Sequence, residues 1–250
     1  KYAMERWTRI PCEVELASEF RYRDPILNAK TLVVAISQSG ETMDTLMAIR
    51  HAKSQGARVL AICNTQGSTI PRESDAVLYT RGGPEIAVAS TKAFLTQVVA
   101  VELLSLYFAQ LRLDKPTAEI KQVMNELANI SHQIDVVLDT TDAVKDLAKK
   151  YVNAQSVLFI GRHVGFPVAL EGALKLKELA YMHAEGFAAG EPKHGPIALI
   201  EDGIPVVIIV PSVREEKELH EKVVSNIQEV RARGAKTILI VEEGDESVVQ

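Results

Sequence analysis

Apolar positions along the chain follow two rhythms. Short β-branched runs alternate with longer stretches whose apolar residues recur every three or four positions. The short runs at 31–36, 58–63, 76–80, 156–160, 205–210 and 236–241 predict strands. Residues 14–17 alternate like one more short strand, and 20–25 read as a polar turn. Helical spacing predicts helices over 1–7, 41–55, 93–111, 117–137, 143–152, 168–182 and 215–233. Gly56 and Gly234 are placed to stop two of them. Residues 64–68 and Gly82-Gly83-Pro84 read as turns, and Asp114-Lys115-Pro116 as a joint. Strands alternating with helices in this way predict parallel sheets covered on both faces. The strand–turn–helix unit at 33–50 returns at 157–182. The expected fold class is therefore α/β with two tandem domains, each a parallel sheet with helices on both faces. The expected boundaries are 1–114 for the first domain, 115–147 for a helical connector and 148–250 for a truncated second domain.

One junction holds more polar chemistry than architecture alone requires. The run Val33-Val34-Ala35-Ile36 ends in Ser37-Gln38-Ser39-Gly40-Glu41-Thr42, and a helix follows. The turn offers two serine hydroxyls, a threonine and the unpaired N–H groups at the positive end of a helix. Such a turn can hold a phosphate without a lysine, though an ordinary serine N-cap reads the same way. In open α/β sheets ligands sit outside the carboxyl ends of the strands, where this turn falls.

Three further stretches could carry chemistry. On the helix at 168–182, Ala169, Gly172, Ala173, Leu176 and Ala180 share one face, small enough for close packing on a sheet. Glu171, Lys175 and Glu178 stack on the opposite face. A carboxylate beside an ammonium suits proton transfer, and the same spacing also describes a solvated face with weak ion pairs. Gly190-Glu191-Pro192-Lys193-His194-Gly195-Pro196 is a loop stiffened by prolines that presents an imidazole, or simply a turn that contains one. Val88-Ala89-Ser90-Thr91-Lys92 again places hydroxyls where a helix starts.

Composition narrows the options. Among 250 residues, 47% are hydrophobic and 24% charged, enough for a real core. A formal net charge of -5 argues against nucleic acid or an anionic membrane as partner. Cys12 and Cys63 form neither a disulfide framework nor a zinc pattern and read as small core side chains in a reducing, cytoplasmic compartment. The six histidines lack metal spacing, so no metal is expected. Residues 161–165 do not make the dinucleotide glycine fingerprint, and neither a nucleotide P-loop nor a G-x-S-x-G elbow occurs. The apolar tract 93–111 approaches membrane-span length. Glu102 near its middle argues instead for a helix buried between sheets or subunits. A chain opening at Lys1 reads as a cut inside a longer protein.

These residues carry a resemblance. Ser37-Gln38-Ser39-Gly40-Glu41-Thr42 resembles the sugar-phosphate loop of the sugar isomerase (SIS) family. The strings at 12–15, 17–23, 85–91, 169–178 and 191–196 resemble one branch of it, the isomerase part of the glutamine–fructose-6-phosphate aminotransferases. The resemblance spans essentially the whole chain and implies two tandem SIS domains. It implies fructose 6-phosphate and ammonia as substrates and glucosamine 6-phosphate as product, with ammonia supplied by a glutaminase domain of the same parent chain. Carried over residue by residue, Ser37, Gln38, Ser39 and Thr42 would bind the phosphate end, and Val88 and Ser90 would line the sugar. Glu178 would move the proton between C1 and C2, with Lys175 assisting. His194 would promote ring opening from the neighbouring subunit, which implies a homodimer. Neither a cofactor nor a nucleic-acid or membrane partner is implied. The family's Cys-Gly-Thr-Ser loop would precede Lys1 and its Schiff-base lysine would follow Gln250. The 250 residues alone are therefore expected to bind sugar phosphate weakly and turn it over little. Two other readings stand beside this one: a non-catalytic sugar-phosphate sensor, and a ketosamine-phosphate deaminase or deglycase.

Overall fold

The computed structural model describes residues 1–113 and 118–248. The expected joint at 114–116, and with it the expected end of the first domain, lies outside the described residues. The chain divides into two compact units, residues 1–134 and the remainder from Asp135. Each is a parallel sheet flanked by helices, as the alternating rhythm requires.

The first unit opens with α1 (Tyr2–Thr8) and α2 (Ala17–Arg23), followed by β1 (Leu32–Ser37), α3 (Met43–Ser54) and β2 (Arg58–Cys63). Next come α4 (Thr69–Glu73), β3 (Ala76–Tyr79), the long α5 (Lys92–Leu113) and α6 (Ala118–Ala128). The three strands run parallel in the order β1-β2-β3, with Leu32 opposite Arg58 and Leu60 opposite Ala76. Strand alternation turns Ala35, Val59 and Ala61 to one face, where Leu46, Ile49 and Ala52 of α3 and Ile70 of α4 cover them. A fully buried isoleucine such as Ile49 contributes about 1.5–3 kcal/mol of transfer free energy. Leu106 and Ala109 of α5 form a separate cluster with Ile120 of α6 and Trp7 of α1.

The second unit takes over within α7 (Ile130–Leu138) and continues through α8 (Thr141–Tyr151), β4 (Ser156–Gly161), α9 (Gly165–Ala180) and β5 (His183–Ala188). It ends with β6 (Pro205–Ile209), α10 (Lys217–Arg231) and β7 (Lys236–Ile240). Short 3₁₀ turns occupy Pro192–His194, Pro196–Leu199 and Glu246–Val248. The sheet order is β5-β4-β6-β7, all parallel. Val223, Ile227 and Val230 of α10 pack on Leu158, Ile160, Val206 and Ile208.

Several expectations are corrected. Residues 14–17 form no strand: Val14 and Leu16 are exposed, no strand among the described residues pairs with them, and the polar turn expected at 20–25 is largely α2. That helix forms because Phe20 finds a place against the α3 core, with its ring edge-on to His51. The single helix expected over 117–137 is two, α6 and α7, broken where the Asn129 N–H turns back to Glu126 and its carbonyl starts the next helix. Cys63 is buried, but Cys12 is only half-buried. By length and composition α5 could cross a membrane. It buries Ser105, Leu106 and Ala109 while Leu95, Val98, Tyr107 and Leu111 stay exposed, so among the described residues it is covered on one side only. Neither β5 nor α4 was expected, because His183-Ala184-Glu185-Gly186-Phe187-Ala188 lacks a β-branched residue and α4 is a single short turn sequence containing Pro71.

Candidate functional site

In the first unit the parallel order sends the loops after β1, β2 and β3 out of the same sheet edge. The first is Ser37–Thr42 as expected. Ser37 is buried at the strand end, and its Oγ accepts the Gly40 N–H at 3.0 Å. Ser39 Oγ accepts the Glu41 N–H at 3.2 Å. Each hydroxyl that accepts a backbone bond keeps its own proton to donate. Neither hydroxyl proton is committed by these two backbone bonds, with Ser37 buried at the strand end and Ser39 nearer the surface. Thr42 is the N-cap of α3, yet no side chain caps that helix, so its first-turn amides remain available to an anion. Asp44, in the same turn, opposes an anion there.

The second loop locks the first in place. Gln38 and Gly40 carbonyls accept the N–H groups of Thr65 (3.2 Å) and Ile70 (2.9 Å). Glu41 Oε1 accepts the Thr69 N–H at 2.8 Å, and the hydrogen bonds from Thr69 hold that carboxyl below its ordinary value. Gly40 sits at φ +71°, and a Cβ there would fall 2.0 Å from Ser68 Oγ, so both conformation and space demand glycine.

The third loop brings Val88 and Ser90. Val88 is almost fully exposed, while Ser90 is half-buried beside the buried Ala89. Asn64 ties the loop's base, its Nδ2 donating to Gly83 O at 2.7 Å and its Oδ1 accepting from Gly82 N at 2.9 Å. Glu85 Oε2 accepts the Thr91 and Ala93 N–H groups at 3.3 and 3.1 Å and so caps α5. Sequence reasoning missed Asn64 and Glu85. The Glu85-to-helix-start spacing was the available signal, whereas the Asn64 contacts cross from one loop to another.

In the second unit the Glu171–Lys175–Glu178 stripe is one ion-paired row. Lys175 Nζ lies 2.6 Å from Glu178 Oε2 and 3.4 Å from Glu171 Oε1. All three side chains are roughly one-quarter to one-third exposed, so this is not the freely solvated face the spacing alone allowed. Burial works to lower the Lys175 ammonium, but the Glu178 hydrogen bond and the two carboxylate charges outweigh it and raise the group above its ordinary value. The opposite face packs as expected at Ala169 and Ala173, and Gly172 admits the Phe159 ring, which a Cβ would meet at 2.8 Å. Ala180, expected on that face, is exposed.

His194 lies elsewhere in this unit. It ends the 3₁₀ turn that follows β5, beyond the carboxyl edge of the sheet. The helix α9 runs back from the end of β4 to the start of β5, which leaves Glu178 near the opposite edge. A six-residue strand spans about 20 Å. Within the unit, Glu178 and Lys175 are brought together and His194 is not brought to them. Among the described residues no cluster of metal-binding side chains occurs.

The sequence profile of the SIS domain matches residues 1–107 and 150–250. The chain belongs to the SIS domain family. It is 72% identical over 249 residues to glutamine–fructose-6-phosphate aminotransferase (isomerizing) of Streptomyces coelicolor, a match covering 100% of this chain and 40% of that protein. Among solved structures, the C-terminal domain of glucosamine-fructose-6-phosphate aminotransferase from Francisella tularensis superimposes with a TM-score of 0.95 at 42% identity, covering 100% of this chain and 70% of that one. Glucosamine-6-phosphate deaminase of Thermotoga maritima shares the fold with a TM-score of 0.72 at 24% identity, over 97% of this chain and 70% of that one. The chain thus spans about 40% of the length of the curated relatives it matches and corresponds to their isomerase portion.

Proposed function

We propose that this chain is the isomerase part of a glutamine-dependent fructose-6-phosphate aminotransferase that makes glucosamine 6-phosphate. The observation that carries the reading is its end-to-end likeness, at 72% identity, to a relative of that name. The geometry agrees with it: a tied, serine-bearing turn in one unit, and a carboxylate–ammonium pair in the other. Ser37, Gln38, Ser39 and Thr42 receive the phosphate, and Val88 and Ser90 border the sugar. Ammonia, released by a glutaminase domain of the same parent chain, condenses with the C2 ketone and water leaves. Glu178 takes a proton from C1 and returns it to C2. The C1 hydroxyl proton ends on nitrogen, so the imine becomes an amine and C1 an aldehyde. Lys175 steadies the charge that develops on oxygen during the transfer. His194, separated from Glu178 within its own unit, opens the sugar ring from the second subunit of a homodimer in the cytoplasm. Residues 115–147 serve as connector between the two SIS domains, in keeping with the gap between the matched segments.

The test is Glu178→Gln in the full-length chain, followed by glucosamine 6-phosphate formation and fructose 6-phosphate binding. Product formation is expected to stop while binding survives. Equal loss of both would give Glu178 a structural role and overturn the assignment. Tighter binding of ketosamine phosphates than of fructose 6-phosphate would point to a deaminase or deglycase instead.

A further inference from the structure

The turn that presents His194 is tied through its backbone and by the buried Pro192, but the imidazole is not. The His194 backbone N–H donates to the Glu191 carbonyl at 2.8 Å, and the ring is exposed with no side chain hydrogen-bonded to it among the described residues. Gly195 follows at φ 140°, with nothing within 4 Å of where a side chain would stand.

Its neighbour Lys193 adds a side-chain tie. Lys193 Nζ lies 2.7 Å from Glu229 Oε1 on α10. The second Glu229 oxygen accepts from Asn226 Nδ2 at 3.4 Å, and the Asn226 Oδ1 accepts from Arg162 Nη1 at 3.4 Å. Asn226 is buried, and Arg162 directly follows β4. A polar strut therefore runs from the end of β4 across α10 to the His194 turn. The Lys193 hydrogen bond, against burial and helped by Asn226 and Ser225, holds the Glu229 carboxyl below its ordinary value, so Glu229 is a carboxylate at neutral pH.

We propose that Glu229, acting through Lys193, is a positioning residue for His194. The inference rests on the reading of His194 as the ring-opening group. Lys193 is more than half exposed, and an ion pair so placed adds little to stability. Its effect is on where the imidazole stands, and a displacement of about 1 Å can cost on the order of 100-fold in rate.

The experiment is a set of variants of the full-length chain: Glu229→Gln, Lys193→Met, His194→Ala and the pair Glu229→Gln/His194→Ala. Glu229→Gln and Lys193→Met are expected to lower kcat by about 10- to 100-fold with the KM for fructose 6-phosphate unchanged. The melting temperature should stay within about 2 °C of the wild type. In the His194→Ala background, Glu229→Gln should cost nothing further, because the group it positions is gone. If His194→Ala leaves the rate intact, the reading of His194 fails. If His194→Ala slows the enzyme while Glu229→Gln does not, or if Glu229→Gln slows it equally with and without His194, the positioning role fails and the reading of His194 stands.

Discussion

The two strand–turn–helix units, β1 to α3 and β4 to α9, look alike in sequence and do different things with their ends. After β1 the turn is open. Two hydroxyls keep protons to give, and neighbouring loops hold the turn from behind. After β4 the turn is shut. Gly161 lies so close to the start of α9 that a Cβ would fall 2.0 Å from the Gly165 carbonyl oxygen, and the Gly165 N–H folds back to Arg162 O at 2.9 Å. The second unit places its paired charges near the far end of its helix instead, at Lys175 and Glu178. The first unit thus leaves hydroxyls and uncapped amides at its helix start, and the second pairs carboxylate with ammonium towards its helix end. The repeat keeps the packing, and the local side chains decide what each end presents.

Five measurements can break or sharpen that contrast. The largest effect is expected at the helix-end site: Glu178→Gln should lower kcat by about 10²–10⁴-fold, the range of a general base, with sugar-phosphate affinity nearly unchanged. Next come the two turn glycines. Gly161→Ala forces a methyl onto backbone and should destabilise the second unit by about 1–3 kcal/mol or more in denaturant titration. Gly40→Ala adds an unfavourable φ to a collision with Ser68 and should cost a similar amount, about 1–3 kcal/mol, but it should also weaken sugar-phosphate binding. If Gly161→Ala were the one that lost binding, the open and shut assignments would be reversed. Ser39→Ala removes one donor to a charged group and should raise the dissociation constant by about 10-fold in calorimetry, with unfolding unaffected.

The smallest effect is electrostatic. The Glu41 carboxyl is lowered by its hydrogen bonds from Thr69, so its contribution to the turn is fully present above the ordinary value of 4.5. It fades as the pH falls through the lower native value. In an NMR titration the Glu41 carboxyl and the Thr69 amide should share a midpoint below 4.5. A midpoint at or above that value would mean that the rear tie is not formed.

Legibility in the sequence followed distance along the chain. Ser37, Ser39 and Thr42 could be placed together because one turn contains them, and Glu171, Lys175 and Glu178 because helix geometry stacks every third and fourth residue. The strand β5 escaped because its residues lack the β-branched signature and it forms by pairing with β4. Residues 14–17 show the converse, an alternating pattern with no partner to pair with. The strut of Arg162, Asn226, Glu229 and Lys193 had no local trace, since its members come from three separated segments.

By itself the sequence determined the α/β class, six of the seven strands among the described residues, the hydroxyl-rich turn and the charged row on α9. These depend on backbone periodicity and on neighbours within a few residues, which sequence spacing specifies directly. Only the tertiary structure decided that Ser68 makes Gly40 obligatory, that Asn64 and Glu85 fasten the third loop, and that Glu178 and His194 stand at opposite edges of one sheet. Those facts depend on strand order and on which loops leave the same edge, and no local pattern encodes the distance between residues that the chain brings together only after it folds.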